Sequence, residues 1–339
     1  MADQGDLFSA DPFALSAEAR GGVRPAPVDD DIRAVAARLP PAVYLGTSSW
    51  SFPGWASLVY GGTHSEQILA RHGLAAYAAH PLFATVGLDR TFYNPVSAEV
   101  LAAYAVDVPA HFRFVVKAHE ALTLARYPNH PRYGAQRGQM NPLYLDVAWA
   151  RDQVVAPFVE GLRGKGGVLL FQLAPQPAEL LARAGAAGSK SAPRRFAERL
   201  YRFLRELPKG PRYAVEVRTA ELLTPDLVGC LRAAGVAPCL ASMPGLPPLD
   251  VQDALVAGAE PSAFVARWLL APHRDYDGAK AAYEPFNALV EPDRTIRASL
   301  VELIKRALAA GQPAFVIINN KAEGSSPLSV AALARALVG

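Results

Sequence analysis

The sequence has two cysteines among 339 residues, few charged residues and no long apolar run. Cys230 and Cys239 could form at most one disulfide, which a chain of this size does not need, so we expect buried free thiols. No run approaches the ~18–20 apolar residues of a membrane-spanning helix. The acidic start has no apolar segment behind basic residues, as a secretory signal would have. These absences predict a cytoplasmic protein with no membrane partner.

Several catalytic and cofactor motifs are also absent. There is no G-x-G-x-x-G after the first predicted strand and no G-x-x-x-x-G-K-[ST], so neither a dinucleotide fold nor a P-loop is indicated. G-x-S-x-G is missing, which argues against a serine nucleophile. Asp89, His119 and Glu216 are the best-placed metal ligands, but no H-x-H or H-E-x-x-H accompanies them. We therefore expect no metal and no cofactor. A net charge of +3 is too mild to require a nucleic-acid partner.

Short apolar runs alternate with helical patterns from Pro41 onward. Such alternation is typical of βαβ units and a parallel sheet. Eight runs have strand length, at residues 42–48, 82–89, 111–117, 167–173, 212–218, 236–242, 263–269 and 313–319. Eight strands with interleaved helices predict an α/β fold, a single-domain TIM-type (β/α)8 barrel over residues 41–339, although an open doubly wound sheet stays possible on the count alone.

The predicted helices occupy the connections between these strands. They lie near residues 65–79, 97–106, 142–163, 194–207, 224–234, 293–310 and 327–338, and the sixth connection offers only a weak pattern at 250–258. Residues 1–40 predict a flexible leader with one short helix at 31–39. The Ala-, Gly- and Ser-rich segment 181–195 predicts a mobile insertion.

Polar side chains stand at or just beyond most of the strand ends, where the catalytic groups of a parallel barrel gather. We predict a pocket formed by Thr47, Trp50, Trp55, Asp89, Tyr93, Lys117, His119, Gln172, Glu216, Arg218, Arg267, Asn319, Asn320 and Lys321. A charge within an apolar run is costly unless it is paired or faces a wet cavity. The alternative is a set of structural ion pairs at the barrel rim.

The residue types of this pocket favour acid–base chemistry on an anionic molecule. Glu216 is the predicted general acid or base, and Lys117 is the second candidate catalytic residue, since it could hold an anion or act as a desolvated amine. Arg218 and Arg267 would hold an anionic group. The polar amides would orient the substrate, and the aromatic side chains would form a stacking wall unless they serve ordinary packing. The sequence thus favours a metal-independent hydrolase, lyase or isomerase for a phosphorylated or nucleotide-like substrate.

A basic and aromatic segment follows the third predicted strand. Arg126, Arg132 and Arg137 occur within residues 121–140, which contain no acidic residue. A loop over residues 126–137 with this composition suits phosphate or single-stranded nucleic acid. A solvated loop without a ligand explains the composition equally well.

An ordered series of motifs resembles one protein family. The motifs are GTSSWSFPGW (46–55), DRTFYNP (89–95), FRFVVKAHEALT (112–123), LLFQLAP (169–175), AVEVR (214–218), a strand with Arg267, and FVIINNKAEGSSP (315–327). Together they resemble the domain-of-unknown-function 72 family, also called YecE-like, over residues 42–337. The resemblance implies a TIM-type barrel in a bacterial cytoplasmic protein and no particular reaction.

The family pattern extends to single positions, and this chain departs from it at a few. The resemblance carries over to Gly46, Thr47, Trp50, Trp55, Thr91, Phe92, Tyr93, Lys117, Gln172, Glu216, Arg218, Arg267, Asn319 and Asn320. An acidic residue is usual where this chain has Gly87, an Asn where it has Asp89, and an Asp where it has Ser242. If those acids serve the reaction, this member has altered specificity or is inactive.

The first residues contain a second resemblance. QGDLF at residues 4–8 resembles the pentapeptide that binds the bacterial sliding clamp, with Gln4, Leu7 and Phe8 at the key places. An extended segment with two apolar anchors suits a shallow groove. The alternative function is therefore a non-catalytic binding protein or a DNA-maintenance accessory recruited through this motif.

Overall fold

The eight predicted strands form a closed parallel barrel in which each strand pairs with its neighbours in chain order. The computed structural model describes residues 22–177 and 191–339. The strands are β1 Val43–Thr47, β2 Thr85–Leu88, β3 Arg113–Lys117, β4 Gly166–Leu173, β5 Tyr213–Val217, β6 Ala237–Ser242, β7 Phe264–Trp268 and β8 Ala314–Ile318. The pairing of β1 with β8 closes the cylinder. The TIM-type fold is thereby confirmed, and the open sheet is excluded.

Strand side chains alternate between the barrel interior and the helical layer. An inner cluster includes Val115, Leu170, Ala214 and Val265. Since side chains alternate with a period of two, the residues two positions further along β3, β4, β5 and β7 face the same interior. These residues are Lys117, Gln172, Glu216 and Arg267. One polar layer therefore covers the apolar interior at the carboxyl ends of the strands.

Helices surround the barrel at nearly all of the predicted places. They are α1 Asp30–Arg38, α2 Glu66–His72, α3 Leu74–Ala78, α4 Arg90–Tyr93, α5 Ala98–Val106, α6 Glu120–Thr123, α7 Val147–Ala150, α8 Ala156–Leu162, α9 Ala192–Arg205, α10 Pro225–Ala234, α11 Leu249–Val256, α12 Tyr276–Tyr283, α13 Arg294–Ala309 and α14 Ser326–Val338. Short 3-10 turns lie at Pro53–Trp55, Pro131–Gln136, Arg163–Lys165, Ala220–Leu222 and Asn320–Ala322. The weak sixth connection contains α11.

Local chemistry explains where these helices begin and bend. The side chains of Ser65 and Asp293 accept hydrogen bonds from backbone N–H groups at the starts of α2 and α13. Between α7 and α8 the helix widens into a π turn at Arg151–Val155. Pro157 follows this turn. Proline has no N–H to donate to the preceding turn of the helix, and its ring would clash with that turn, so the wider π turn makes room for it. The single helix predicted over 142–163 is therefore interrupted.

The segment before the barrel adheres to it where the structure describes it. Ala26 N–H donates to the Val59 carbonyl at 2.9 Å, and Asp31 pairs with Arg335 of α14 at 2.7 Å. Helix α1 lies within one residue of the predicted 31–39. This part of the predicted leader belongs to the barrel surface. The clamp-like residues 4–8 and residues 181–190 of the predicted insertion lie outside the described residues.

Both cysteines are buried free thiols, as predicted. Cys230 lies on α10, and Cys239 is part of the inner cluster of the barrel. Across residues 22–177 and 191–339, no helix is both long enough and apolar enough to cross a membrane.

Candidate active site

A buried ion-pair network lies in the polar layer. Arg218 Nε donates to Glu216 Oε1 at 2.7 Å, and Arg267 Nη1 donates to Glu216 Oε2 at 2.7 Å. Gln172 Oε1 accepts from Arg218 Nη2 at 3.0 Å and from Arg267 Nη1 at 2.9 Å. Residues from β4, the end of β5 and β7 are thus joined in one network of hydrogen bonds.

Glu216 is the centre of this network and is fully buried. Burial alone would raise the pKa of its carboxyl, but the charges and hydrogen bonds of Arg267 and Arg218 prevail and lower that pKa to about 2. A carboxylate with so low a pKa is a weak base at neutral pH, and both of its oxygens are occupied. The acid–base role predicted from sequence therefore does not fit this geometry, and Glu216 instead positions the two guanidinium groups.

Lys117 and Asp89 form a second pair beside the network. Lys117 Nζ lies 3.4 Å from Asp89 Oδ1 and 4.1 Å from the centre of the Phe92 ring. Burial lowers the pKa of Lys117 to about 8, with Asp89 opposing the shift and Arg267 adding to it. The lysine side chain is 8% exposed and the aspartate side chain 38% exposed. The pair thus combines an amine that titrates near neutral pH with a carboxylate that a ligand can reach.

The charges of the Glu216 network and of the Lys117–Asp89 pair do not cancel. Three cations, Lys117, Arg218 and Arg267, share two carboxylates, Asp89 and Glu216. The Arg218 side chain is 22% exposed, and its Nη1 makes no hydrogen bond to the described residues. The surplus of one positive charge and the spare donor group favour an anion at this end of the barrel.

Tyr93, which follows β2, and Asn319, which follows β8, are two further predicted pocket residues near these charges. The guanidinium carbon of Arg132 lies 5.1 Å from the Tyr93 ring centre. Burial and the charge of Asp89 raise the pKa of Tyr93, so its hydroxyl stays protonated. Asn319 Nδ2 donates to Ser48 Oγ at 2.9 Å and joins the ends of β8 and β1. Both side chains are partly exposed and remain candidates for contact with a substrate.

Three predicted pocket residues at the end of β1 and beyond it serve packing instead. Thr47 is fully buried and donates to the Ser49 carbonyl at 2.6 Å. Trp50 Nε1 donates to the Leu69 carbonyl at 3.0 Å, and Trp55 is 0% exposed. The prediction of a stacking wall is wrong for these two tryptophans. Their rings pack between the sheet and the helices, because a strand-end position does not by itself fix which face a side chain takes.

Asn320 and His119 are also occupied by structural hydrogen bonds. Asn320 Oδ1 accepts from Trp55 Nε1 at 3.3 Å and from Ser326 Oγ at 2.8 Å. His119 Nδ1 accepts from Ala121 N–H at 3.0 Å and so caps α6. Burial lowers the pKa of this histidine to about 4, so it is neutral at pH 7. The Nδ2 atom of Asn320 is buried and makes no hydrogen bond to the described residues.

The charge of the basic loop is partly neutralised by Glu120, an acidic residue that lies just before residues 121–140. Arg132 pairs with Glu120, and the Tyr133 hydroxyl donates to the same carboxylate at 3.0 Å. Arg137 Nε donates to the Gly134 carbonyl at 3.0 Å. Binding of phosphate or nucleic acid by this loop stays a prediction.

Tyr276 is a residue that sequence reasoning missed. It begins α12, which follows β7 and was not predicted, although the side chain of Asp275 caps the helix by accepting from Gly278 N–H at 2.6 Å. The sequence D-Y-D-G carries this capping signal, but eight residues are too few for a clear apolar period. The ring of Tyr276 is 48% exposed and contacts the ammonium of Lys321.

No metal centre is evident in the part of the chain that the structure describes. Within residues 22–177 and 191–339, no three side chains of the types His, Cys, Asp and Glu lie together as candidate ligands. Asp89 and Glu216, two of the ligands considered from sequence, are instead engaged with cations.

Comparison with known proteins identifies the family. The family model described as "Protein of unknown function DUF72" matches residues 44–339, which is nearly the whole barrel. The chain belongs to the DUF72 family. The predicted resemblance is therefore confirmed. A search of curated proteins finds no match to this DUF72 protein.

Solved structures of other family members have the same fold. One, a DUF72 family protein from Enterococcus faecalis, is 16% identical, with a TM-score of 0.56 over 87% of this chain and 95% of that chain. Another, a DUF72 family protein from Thermotoga maritima, is 17% identical, with a TM-score of 0.53 over 87% of this chain and 98% of that chain. At such identities the likeness concerns the fold alone.

Proposed function

We propose that this DUF72 protein is an enzyme that binds a small anionic substrate at the carboxyl end of its barrel and transfers protons with the Lys117–Asp89 pair. The observation that carries the proposal is the position of Lys117, whose pKa of about 8 is close to neutral pH, 3.4 Å from the partly exposed carboxylate of Asp89. The guanidinium of Arg218, which has spare donors, lies beside this pair. The reaction classes that fit are those of a hydrolase, a lyase or an isomerase, in which a proton is removed and returned.

Each residue has a distinct part in this proposal. Arg218 holds the phosphate or carboxylate of the substrate, while Glu216 and Gln172 fix the direction of its guanidinium. Lys117 accepts or donates the proton. With a pKa of about 8, about one tenth of the lysine is the free amine at pH 7. Asp89 stabilises the ammonium that forms when the amine takes up a proton.

Binding can be tested before the reaction is known. Thermal-shift and calorimetric titrations would use inorganic phosphate, fructose 6-phosphate and nucleoside monophosphates. We expect at least one anion to bind the unaltered protein, and Arg218→Gln to weaken it about tenfold, as the loss of a charge-assisted hydrogen bond does. Arg306→Gln is the matched control, since Arg306 pairs with Asp253 of α11 outside the site. No binding of any anion, or equal binding by Arg218→Gln, would contradict the proposal.

Catalysis requires a separate measurement. Proton abstraction from carbon exchanges substrate hydrogen for solvent deuterium, which NMR detects for any phosphorylated or carboxylated compound that binds. We expect exchange, if the enzyme is a lyase or an isomerase, or release of a hydrolysis product in the same NMR spectra, if it is a hydrolase, with the unaltered protein and with Arg306→Gln. Lys117→Met should lose this activity. A protein that binds anions but turns none of them over would indicate a binding module instead.

The motif at residues 4–8 favours a second candidate function, recruitment to the bacterial sliding clamp. The proposal rests on Gln4, Leu7 and Phe8 in the sequence. A synthetic peptide of residues 1–12 should bind the clamp, and replacement of Leu7 and Phe8 by Ala should abolish binding. If the unaltered peptide has no affinity for the clamp, the proposed recruitment is wrong.

A further inference from the structure

Lys321 is a buried cation that forms no ion pair with any residue of 22–177 and 191–339. Its side chain lies beyond the end of β8, and the residue is 6% exposed. The Nζ atom lies 4.0 Å from the centre of the Tyr276 ring and 5.5 Å from that of Phe286. It makes no hydrogen bond or ion pair with the described residues. Lys117 differs in this respect, because its ammonium faces Asp89 at 3.4 Å.

The surroundings of Lys321 compensate its charge only in part: burial and the charge of Lys280 lower its pKa, and the carboxylates of Glu284 and Asp277 oppose this shift without overcoming it. Glu284, which follows α12, pairs with Lys280 at 3.6 Å, and neither Glu284 nor Asp277 of α12 forms an ion pair with Lys321. Two aromatic faces stabilise an ammonium by less than a hydrogen-bonded carboxylate does. Removing a charge from water without pairing it is costly, so a buried cation of this kind is usually matched by a partner. In this position the missing partner is an anion that arrives from solution.

Lys321 belongs to the same mouth as the proposed substrate site. Its backbone carbonyl accepts from Ala271 N–H at 3.1 Å, so it lies beside the segment that leaves β7. Asn319, two residues earlier, bonds to Ser48 at the end of β1. Arg267 of β7 reaches toward Asp89, with 3.9 Å between Nη2 and Oδ1. The Lys321 subsite therefore borders the charged pairs on the side of β7 and β8.

We infer that Lys321 is the anchor for a second anionic group, and that the substrate carries two such groups, one held by Arg218 and one by Lys321. This inference rests on the proposed function and narrows its substrate class to bisphosphates, phosphorylated carboxylates or dicarboxylates. The aromatic faces of Tyr276 and Phe286 would line the path between the solvent and the ammonium.

Paired probes test the inference. Affinities would be measured for fructose 6-phosphate against fructose 1,6-bisphosphate and for phosphate against pyrophosphate. We expect the unaltered protein to prefer a bisphosphate by about tenfold or more, the effect of one added charged contact. Lys321→Met should remove this preference and keep the affinity for the monophosphate. Lys305→Met, which removes the same charge at an exposed position of α13, should keep both.

A second measurement needs no variant. Lysine acylation of the unaltered protein, read by mass spectrometry, should be slowed at Lys321 by the preferred bisphosphate and unchanged at the exposed Lys305. The inference is overturned if neither bisphosphate is preferred, if Lys321→Met keeps the preference, or if acylation of Lys321 is unaffected. Failure of the monophosphates to bind, or equal binding by Arg218→Gln, would instead overturn the proposed function.

Discussion

The ammonium of Lys117 lies 3.4 Å from the carboxylate of Asp89. Lys117 is the last residue of β3, and Asp89 is the first residue after β2. Adjacent parallel strands bring the two side chains together although they are far apart in the chain. Burial lowers the pKa of the lysine, and the aspartate limits the fall.

Replacing Asp89 by Asn should therefore lower the pKa of Lys117 below its value of about 8 in the unaltered protein. The negative charge that favours the ammonium is lost, whereas burial and the charge of Arg267 remain. NMR titration of reductively ¹³C-methylated lysines measures the shift. Asp253→Asn, which alters an ion pair elsewhere, should leave this pKa unchanged. A rise in the pKa would contradict the assignment of the pair.

Replacing Glu216 by Gln should strongly destabilise the fold. The change leaves two buried guanidinium groups without their carboxylate, and breaking a buried ion pair costs about 3–5 kcal/mol of the free energy of unfolding. Urea denaturation measures the loss. Glu160→Gln, at an exposed position of α8, is expected to change stability little. Equal stability of the two variants would show that Glu216 does not organise the site.

Acid should weaken the protein through the same residue. The pKa of Glu216 is lowered in the folded state to about 2 from an ordinary 4.5, so its contribution to stability is complete above pH 4.5 and is lost as the pH falls from there toward 2. The urea midpoint of the unaltered protein should fall across this range more steeply than that of Glu216→Gln. Parallel pH profiles would be the opposite result.

Replacing Trp55 by Phe should affect stability and not ligand binding. The change removes volume from a fully buried position together with the 3.3 Å hydrogen bond from Nε1 to Asn320, at an expected cost of about 2 kcal/mol. Anion affinity, measured by calorimetry, should equal that of the unaltered protein. A marked fall in affinity with retained stability would restore the stacking role first predicted for this side chain.

The sequence by itself determined the eight parallel strands and most of the polar layer at their carboxyl ends, while the structure decided that the strands close into a barrel. Eight apolar runs of strand length, separated by helical patterns, leave few ways to cover both faces of every strand, and closure into a cylinder is the outcome observed. The polar residues within those runs, such as Lys117, Gln172 and Glu216, had to face a shared interior, because a charge in a strand covered on both faces needs a partner there.

Only the tertiary structure decided which side chains are partners and which serve packing. Glu216 had three possible cationic neighbours in the sequence, and the register of β4, β5 and β7 gave it Arg218 and Arg267 while leaving Lys117 to Asp89. Trp55 and Lys321 both lie in the segment that follows a strand, yet Trp55 is sealed in the core and Lys321 is a buried cation with no ion pair among the described residues. Pairing and burial depend on distances across the barrel between residues that are remote in the chain, and a local sequence pattern does not determine those distances.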